Sequence, residues 1–361
     1  MADLVLDELL VKASDRSYNL KIFNNLDKLV HEVKSFEKNT FFIIDKKFND
    51  LNHFDTYLQQ DNTLLINSSE KIKTLEFAKD LILQLKERGI NRYSTIITVG
   101  GGTLQDVSQF VASILYRGVD FVFIPTTLQA MTDSCMGGKT SLNLDFFKNQ
   151  LGTFYSPKMV LIHTGFIETL DPNELKGGYA ELIKLLIIGK FNYFEELYSA
   201  LNKDLYNLET VQTHSFKALK VKKFYVEADE FDLGIRKILN YGHTFAHAVE
   251  TVVENKISHG NATALGMNLA NYYSLKNDLI SSEFYNLHYQ FFYSFCDFKN
   301  IRKFKNINGS NLLKQFTQDK KIKSNGNIDL IIPVSDTIQV KEVEIDKKLE
   351  NIVDEFLRSL L

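Results

Sequence analysis

The chain has 361 residues, of which 44% are hydrophobic and 24% charged, so it is long enough to form two domains with separate cores. The net charge is -3, with lysine and arginine dispersed among aspartate and glutamate, which argues against a nucleic-acid partner. Cys135 and Cys296 are the only cysteines, which excludes a disulfide framework and a cysteine-built metal site. No apolar run approaches the roughly 18 residues of a membrane span, so we expect a cytoplasmic protein without a membrane partner.

The first half of the chain alternates short apolar runs with amphipathic stretches, which is typical of a parallel sheet with crossover helices. Two amphipathic stretches, 70–89 and 103–118, place apolar residues at helical spacing. Five β-branched or aromatic runs have the length of strands, namely 41–45, 63–67, 94–100, 121–127 and 159–164. We therefore predict an α/β domain here.

After about residue 170 the strand signals largely stop, and long amphipathic stretches such as 173–201 follow. This half is predicted to be mainly helical. A domain boundary is expected near Asp171 and Pro172, because proline is favoured at the first position of a helix and the composition changes there.

A glycine-rich turn connects the predicted strand at 94–100 to the helix that follows it. Gly100, Gly101 and Gly102 let the backbone approach a ligand closely, and the free N–H groups at the start of the helix favour phosphate. A nucleotide pyrophosphate fits this pattern. The spacing differs from the GxGxxG of an ordinary Rossmann turn, and such a turn can also be purely structural.

The segment 124–158 is rich in polar groups beside glycine turns. It contains Asp133, then Lys139 in a Gly-Gly-Lys-Thr turn, then Lys148 next to Asn149. Ammonium and amide groups in such turns suit phosphate or carboxylate oxygens. The alternative is a solvated loop with ordinary surface lysines.

Glu181 and Lys184 are three residues apart on a helical face that is otherwise apolar. A carboxylate in that position needs a partner, which can be Lys184 in an ion pair or a metal ion.

Three histidines lie within seventeen positions near residue 250. Arg236, Asn240, His243 and His247 keep spacings of four, three and four, which predicts that they share one face of a helix. His259 follows twelve residues after His247, beyond the predicted helix end and a turn, so the three imidazoles can meet. The alternative is that one ring is buried and hydrogen-bonded while the other two are solvated.

Seven motifs resemble, in order, those of 3-dehydroquinate synthases, and together they span nearly the whole chain. They are GGGTLQD, YRGVDFVFIPTTL, DSCMGGKTSLN, KNQLGTFYSPK, ETLDPNELKGGYAELIK, ADEFDLGIRKILNYGHTFAHAVE and SHGNATALGM. On these motifs the chain is identified as a member of the sugar phosphate cyclase superfamily.

The resemblance implies a Rossmann-like, NAD-binding α/β domain over residues 1–170 and an all-α, metal-binding domain over 171–361, in a homodimer with its active site in the interdomain cleft. It also implies the conversion of 3-deoxy-D-arabino-heptulosonate 7-phosphate, a phosphorylated sugar acid, to 3-dehydroquinate and phosphate. In that reaction NAD transiently oxidises a ring alcohol, phosphate is eliminated, the ketone is reduced again, and an aldol step closes the new ring.

The resemblance further implies a divalent metal, zinc or cobalt, held by Glu181, His243 and His259. Three nitrogen and oxygen ligands leave coordination positions open for substrate, as a catalytic site requires.

The resemblance also assigns residues to the substrate and to NAD. Arg117 resembles the arginine that, in that family, reaches the phosphate site of the partner subunit. The implied substrate pocket comprises Asp133, Lys139, Lys148, Asn149, Lys184, Lys222, Arg236, Asn240, His247 and Lys320. The implied NAD contacts are Asp45, Glu70, Lys73, Gly101, Gly102, Asp106, Thr126, Thr127 and Thr169, with Lys148 assigned to both sets.

Two departures from the family pattern border the implied pocket, Asn261, where a glutamate is usual, and Phe147, where a glycine is usual. Asp232 and Ala246 also depart from it, in place of a glutamate and a glycine. Lys139 and Arg236 are both retained, which suits a substrate that carries a phosphate and a carboxylate. Three alternatives stay open: a cyclase for a related sugar such as sedoheptulose 7-phosphate, a metal- and NAD-dependent polyol dehydrogenase, and a non-catalytic relative that only binds.

Overall fold

The computed structural model describes residues 7–36, 39–48, 61–145, 147–201, 204–254, 256–295, 303–304, 306–318 and 326–360. The chain forms two compact units. The first consists of Met1–Leu170 and Tyr206–Phe231, and the second of Asp171–Leu205 and Asp232–Leu361. The sequence analysis divides the chain once, after residue 170, whereas the structure also assigns Tyr206–Phe231 to the first unit.

The first unit contains a seven-stranded sheet and a two-stranded hairpin. Its strands are β1 (Asp7–Val11), β2 (Tyr18–Phe23), β3 (Thr40–Asp45), β4 (Thr63–Ile66), β5 (Thr95–Gly100), β6 (Asp120–Pro125), β7 (Leu142–Leu144), β8 (Phe147–Leu151) and β9 (Met159–His163). The order in the large sheet is β1-β2-β9-β6-β5-β3-β4, and β7 pairs with β8. The β1–β2 pair is antiparallel and the other neighbours are parallel. All five predicted strands are confirmed.

Helices alternate with strands in the first unit, as predicted, and make up most of the second unit. In chain order they are α1 (Leu26–Lys34), α2 (Leu75–Glu87), α3 (Gly102–Ile114), α4 (Pro172–Gly189), α5 (Phe191–Leu201), α6 (Leu208–Ala228), α7 (His243–Val252), α8 (His259–Lys276), α9 (Ser282–Phe295), α10 (Gly309–Gln318) and α11 (Lys347–Ser359). Within the described part of the chain, every helix is too short or too polar to cross a membrane.

The stretch 70–89 contains two elements. Residues Glu70–Ile72 form a 3₁₀ turn, and α2 starts only at Leu75. The side chain of Thr74 sets this start, because its hydroxyl accepts a hydrogen bond from the N–H of Phe77 at 3.1 Å. Glu70 and Lys73 therefore lie in a turn before the helix.

The second unit is helical, as predicted, and begins where the sequence analysis places the boundary. Asp171 caps α4 by accepting hydrogen bonds from the N–H groups of Asn173 and Glu174, and Pro172 occupies the first helical position. The unit also contains one element that was not predicted, an antiparallel hairpin of β10 (Asn327–Val334) and β11 (Thr337–Glu344).

The prediction of one continuous helical face from Arg236 to His247 is wrong. Residues Ile235–Asn240 form a 3₁₀ helix, and α7 begins at His243 after a break at Gly242, whose φ is +79°. Close packing requires glycine at this break, since a Cβ on Gly242 would lie 2.5 Å from Cγ of Met267. Only glycine fits that position, and the chain changes direction just before the first histidine.

Cys135 is expected to be a poor nucleophile. It is buried, and burial raises the pKa of its thiol to about 12, so only about one molecule in ten thousand carries a thiolate at pH 8. Iodoacetamide should therefore label Cys135 at least about 100-fold more slowly in the folded protein than in urea, where the thiol pKa is about 8.5. Peptide mapping by mass spectrometry measures this ratio, and equal rates would contradict the burial of the thiol.

Candidate active site

The glycine turn after β5 forms the start of α3, with Gly101 as the cap residue. Among the described side chains none caps this helix, so its first N–H groups can bind an anion. A larger residue at either of the last two glycines would be tightly packed. A Cβ on Gly101 would lie 3.0 Å from Cγ2 of Thr127, and one on Gly102 would lie 3.2 Å from Oγ of Ser134. Thr126 closes the turn by donating its N–H to the carbonyl of Gly100 at 2.9 Å.

Lys73 joins a predicted NAD contact, Asp106, to a predicted residue of the substrate pocket, Asn149. Its buried ammonium lies 2.8 Å from Oδ2 of Asp106 and donates a hydrogen bond of 2.7 Å to Oδ1 of Asn149. Burial raises the pKa of the Asp106 carboxyl, and the attraction of Lys73 offsets only part of that shift. This ion pair joins the turn before α2 to the first helical turns of α3.

Asn143 is a residue of this network that the sequence analysis missed. Its Nδ2 donates to Oε1 of Glu70 at 2.9 Å, and its Oδ1 accepts from the N–H of Asn149 at 2.9 Å. Asn149 has a φ of +55°, a left-handed conformation that asparagine tolerates better than most residues. The available signal was a polar residue between Leu142 and Leu144 in a short strand.

Asp133 and Lys222, both predicted for the substrate pocket, meet in the first unit. Lys222 on α6 is buried, and its ammonium forms an ion pair with the carboxylate of Asp133 and donates to the main-chain carbonyl of the same residue at 2.5 Å. Asp133 lies in a π-helical turn, Ala130–Ser134. Such turns occur often at functional sites.

The other predicted residues of the first unit make local contacts. The Asp45 carboxylate accepts from the N–H of Lys47 at 3.1 Å, and the Thr127 hydroxyl accepts from that of Ala130 at 3.2 Å. The Thr169 hydroxyl donates to the main-chain carbonyl of Phe166, three residues earlier, at 2.8 Å. Three cations lie at or near the surface, namely Arg117, Lys139 and Lys148. Lys320 lies outside the described residues.

Glu181, His243 and His259 converge in the second unit. Glu181 is on α4, while His243 and His259 are the first residues of α7 and α8. Oε1 of Glu181 lies 3.5 Å from Nε2 of His243 and 3.2 Å from Nε2 of His259. The ring centroids of His243 and His259 are 5.4 Å apart. Three helices thus place one carboxylate and two imidazoles around a common point.

These side chains fit a divalent ion. One potential ligand atom from each residue lies within 4.8 Å of the other two. Zinc ligands at about 2.0–2.1 Å in tetrahedral geometry are roughly 3.3 Å from one another, close to the separations of Glu181 from the two imidazoles. The carboxylate is fully buried, which is costly for a charged group without a cationic partner.

Lys184 occupies the other side of the carboxylate, with its ammonium 2.6 Å from Oε2 of Glu181. Burial alone would raise the pKa of Glu181, but Lys184, His243 and His259 outweigh it, and the pKa lies well below its ordinary value. Both partners proposed for Glu181, an ion pair with Lys184 and a metal site, are therefore compatible with its position.

The two histidines that are candidate ligands, His243 and His259, have different electrostatic surroundings. Burial and the nearby Lys184 hold the pKa of His243 well below its ordinary value, so this imidazole is neutral. Burial also lowers the pKa of His259, but hydrogen bonds to Glu181 and Glu250 outweigh it and raise the pKa to about 10. Metal binding must displace that proton, because a ligating imidazole is neutral.

His247 lies beside this cluster, with its ring centroid 5.6 Å from that of His243 and 6.2 Å from that of His259. His243 is buried and the other two rings are half-buried, but His259 is held between Glu181 and Glu250 rather than by solvent alone. Arg236 is buried and Asn240 is half-buried in the 3₁₀ helix before α7.

Two further residues around the cluster were missed from the sequence. The hydroxyl of Thr263 donates to Oε1 of Glu181 at 3.1 Å, and Oε1 of Glu250 lies 3.2 Å from Nδ1 of His259. Glu250 could have been found, since it is three residues after His247 and seven after His243, on the same helical face.

The two departures that border the implied pocket lie at helix and strand starts. The N–H of Asn261 in the first turn of α8 donates to the hydroxyl of Ser258 at 3.3 Å, where a glutamate would complete a capping box. Phe147 begins β8 and is 67% exposed.

Among solved structures, the fold is similar to that of 2-deoxy-scyllo-inosose synthase complexed with carbaglucose-6-phosphate, NAD+ and Co2+. The TM-score is 0.80 at 23% identity, over 97% of this chain and 100% of that one. It is also similar to ValA, the 2-epi-5-epi-valiolone synthase from Streptomyces hygroscopicus subsp. jinggangensis 5008 with NAD+ and Zn2+ bound. That TM-score is 0.76 at 21% identity, over 98% and 99% of the two chains. These likenesses establish the fold.

Sequence comparison identifies the family. A family model for the N-terminal part of 3-dehydroquinate synthase matches residues 63–177, and one for the C-terminal part matches residues 178–322. The 3-dehydroquinate synthase of Pelagibacter ubique (strain HTCC1062) is 34% identical over 362 aligned positions, which cover 96% of this chain and 97% of that one. The chain belongs to the 3-dehydroquinate synthase family.

Proposed function

We propose that this enzyme converts 3-deoxy-D-arabino-heptulosonate 7-phosphate to 3-dehydroquinate and phosphate. The observation that carries the proposal is the convergence of Glu181, His243 and His259 beside Lys184, in a chain that belongs to this family. A carboxylate and two imidazoles suit a catalytic metal ion, since three protein ligands leave positions for substrate oxygens.

The proposed cofactors are NAD and one divalent ion, zinc or cobalt. NAD supplies a hydride acceptor that is reduced and reoxidised within one turnover. The ion supplies a Lewis acid for the alcohol and carbonyl oxygens of the substrate. Glu181, His243 and His259 hold the ion in this proposal, and the first N–H groups of α3 after Gly101 hold the NAD pyrophosphate.

In this proposal the phosphate and the carboxylate of the substrate are recognised by the cationic side chains that the family resemblance assigns, namely Lys139, Lys222, Lys184 and Arg236. The guanidinium of Arg236 supports the proposal through its planar donors, which match a carboxylate or phosphate.

We also propose that the enzyme is a cytoplasmic homodimer with an NAD-binding domain and a metal-binding domain. Support for the dimer comes from the resemblance of Arg117 to the arginine that reaches the partner's phosphate site in this family. The exposure of the Arg117 side chain is compatible with that role. A free, buried Cys135 suits a reducing compartment.

A second candidate is a cyclase that acts on a neutral sugar phosphate such as sedoheptulose 7-phosphate. It is favoured by Asn261 and Phe147, the two departures that border the implied pocket. The retention of both Lys139 and Arg236 favours the acidic substrate, because a neutral sugar phosphate carries only one anionic group.

Phosphate release distinguishes these candidates. We expect the metal-loaded enzyme with NAD+ to release phosphate from the heptulosonate phosphate with no net formation of NADH. Sedoheptulose 7-phosphate should react about 10- to 150-fold more slowly, since one lost charge-assisted contact costs about 1.5–3 kcal/mol. Inorganic phosphate and absorbance at 340 nm are measured in parallel. Reaction of the neutral sugar alone would overturn the substrate assignment, and accumulation of NADH would indicate a polyol dehydrogenase.

A further inference from the structure

The imidazole of His259 has a partner at each of its two nitrogens. Nε2 lies 3.2 Å from Oε1 of Glu181, and Nδ1 lies 3.2 Å from Oε1 of Glu250. His243 shows the same arrangement, because its Nδ1 lies 3.2 Å from the carbonyl oxygen of Tyr241 while its Nε2 faces Glu181. Both rings therefore direct Nε2 towards the carboxylate and Nδ1 away from it.

We propose that Glu250 is a positioning residue for the metal centre and acts through His259. Its carboxylate accepts the Nδ1–H of His259, so Nε2, which faces Glu181, is the nitrogen that gives up its proton when the ring ligates the ion. Metal-ligating histidines are commonly oriented in this way by a carboxylate or a main-chain carbonyl. The inference rests on the proposed metal site and adds a residue to it that binds neither ion nor substrate.

The position of Glu250 makes this contact effective. Its side chain is 7% exposed, and a hydrogen bond to a carboxylate is stronger when water is largely excluded. Glu250 is on α7, the helix that begins with His243, whereas His259 begins α8. The contact therefore fixes the second histidine relative to the helix that carries the first.

The alternative role for Glu250 is that of a metal ligand itself. His247, Glu250 and His259 also offer ligand atoms within 4.8 Å of one another. A second ion held there together with the first would require His259 to coordinate through both nitrogens and to lose its Nδ1 proton. The hydrogen bond from Nδ1 to Oε1 leaves Nε2 of the same ring to ligate an ion beside Glu181, so positioning needs only one nitrogen of His259 to lose its proton.

Two substitutions of Glu250 separate the hydrogen bond from the charge. Glu250→Leu removes the acceptor with little change in volume, and the loss of such a partner weakens metal affinity by about 10- to 100-fold. Glu250→Gln keeps an oxygen that can accept the Nδ1–H, so it should weaken affinity less. Glu254→Ala is the matched control, because this carboxylate lies four residues further along, is exposed and pairs with Lys256 at 2.8 Å.

The test measures Co2+ affinity and stoichiometry for the full chain, stripped of metal and titrated in competition with a chromophoric chelator. Thermal melting of the metal-free variants reports their folding. We expect one ion per wild-type chain, a dissociation constant about 10- to 100-fold higher in Glu250→Leu, a smaller increase in Glu250→Gln, and no change in Glu254→Ala.

Wild-type affinity in a folded Glu250→Leu would overturn the inference, as would two ions per wild-type chain of which Glu250→Leu loses one. If the leucine variant does not fold, Glu250→Gln decides, since a several-fold weaker affinity supports positioning and an unchanged affinity overturns it. If the proposed metal site is itself wrong, the result is distinguishable, because the wild type and His243→Ala would then bind Co2+ equally poorly. The role proposed for Glu250 would then also be wrong.

Discussion

Replacing Glu181 by glutamine is expected to abolish tight metal retention and to lower kcat by about a thousandfold or more. The substitution removes the only carboxylate of the Glu181, His243 and His259 set, so its charge no longer attracts a divalent ion. The ion is worth several kcal/mol of stabilisation for charge that develops on oxygen, and each 1.4 kcal/mol or so is a factor of ten in rate. Metal analysis after gel filtration and a phosphate-release assay measure the two effects.

The same substitution should also destabilise the metal-free protein. The Lys184 ammonium, 2% exposed and 2.6 Å from Oε2 of Glu181, would lose its carboxylate partner. Breaking a buried ion pair from one side costs about 3–5 kcal/mol, whereas replacing both partners by neutral groups is often close to neutral. Urea unfolding in the presence of a chelator measures this effect on the apparent free energy of unfolding.

The double variant Glu181→Gln/Lys184→Met is the control for this prediction. It removes both charges, so the free energy of unfolding should return towards the wild-type value while metal retention stays lost. His247→Ala is a second control, because His247 lies outside the three ligands and its removal should leave the ion bound. The ligand assignment fails if Glu181→Gln retains its ion, or if Glu181→Gln, His259→Ala and His247→Ala are equally loaded.

The central strands were predictable because strands buried on both faces consist of nearly continuous apolar residues, and β3, β5 and β6 do. β1 and β2 were missed because charged residues interrupt their apolar pattern. In β2 the sequence shows only an alternation of apolar and polar residues, which are buried and half-buried in turn. The hairpin β10–β11 was missed for a similar reason, since five of the eight residues of β11 are charged or polar and it follows a long helical region.

The three candidate metal ligands were named through the resemblance, and their convergence agrees with a spacing that already allowed the histidines to meet. The geometry between them was not predictable. The break at Gly242 depends on contact with Met267, and the role of Glu250 depends on the direction in which α8 begins. Both depend on tertiary contacts between different helices, and the spacing of residues in the sequence does not give how two helices pack.

The last prediction concerns the contact of α4 with α8. Gly260 directly follows His259, and Gly177 lies one helical turn before Glu181. A Cβ on Gly260 would lie 2.1 Å from Cα of Gly177 and 2.4 Å from its carbonyl oxygen. Backbone atoms cannot rotate away, so Gly260→Ala must push the two helices apart, at a cost of about 1–3 kcal/mol or more. Since these helices carry Glu181 and His259, the ligands should separate, and Co2+ affinity should fall by about 100-fold or more.

Gly177→Ala is the matched control at the same contact. Its Cβ would meet Cα of Gly260 at 3.6 Å, an ordinary contact, and alanine favours a helix over glycine by about 0.5–1 kcal/mol. This variant should therefore bind Co2+ like the wild type and be at least as stable in urea. Equal behaviour of the two variants in chelator competition and unfolding would show that close backbone packing at Gly260 does not hold the ligands together.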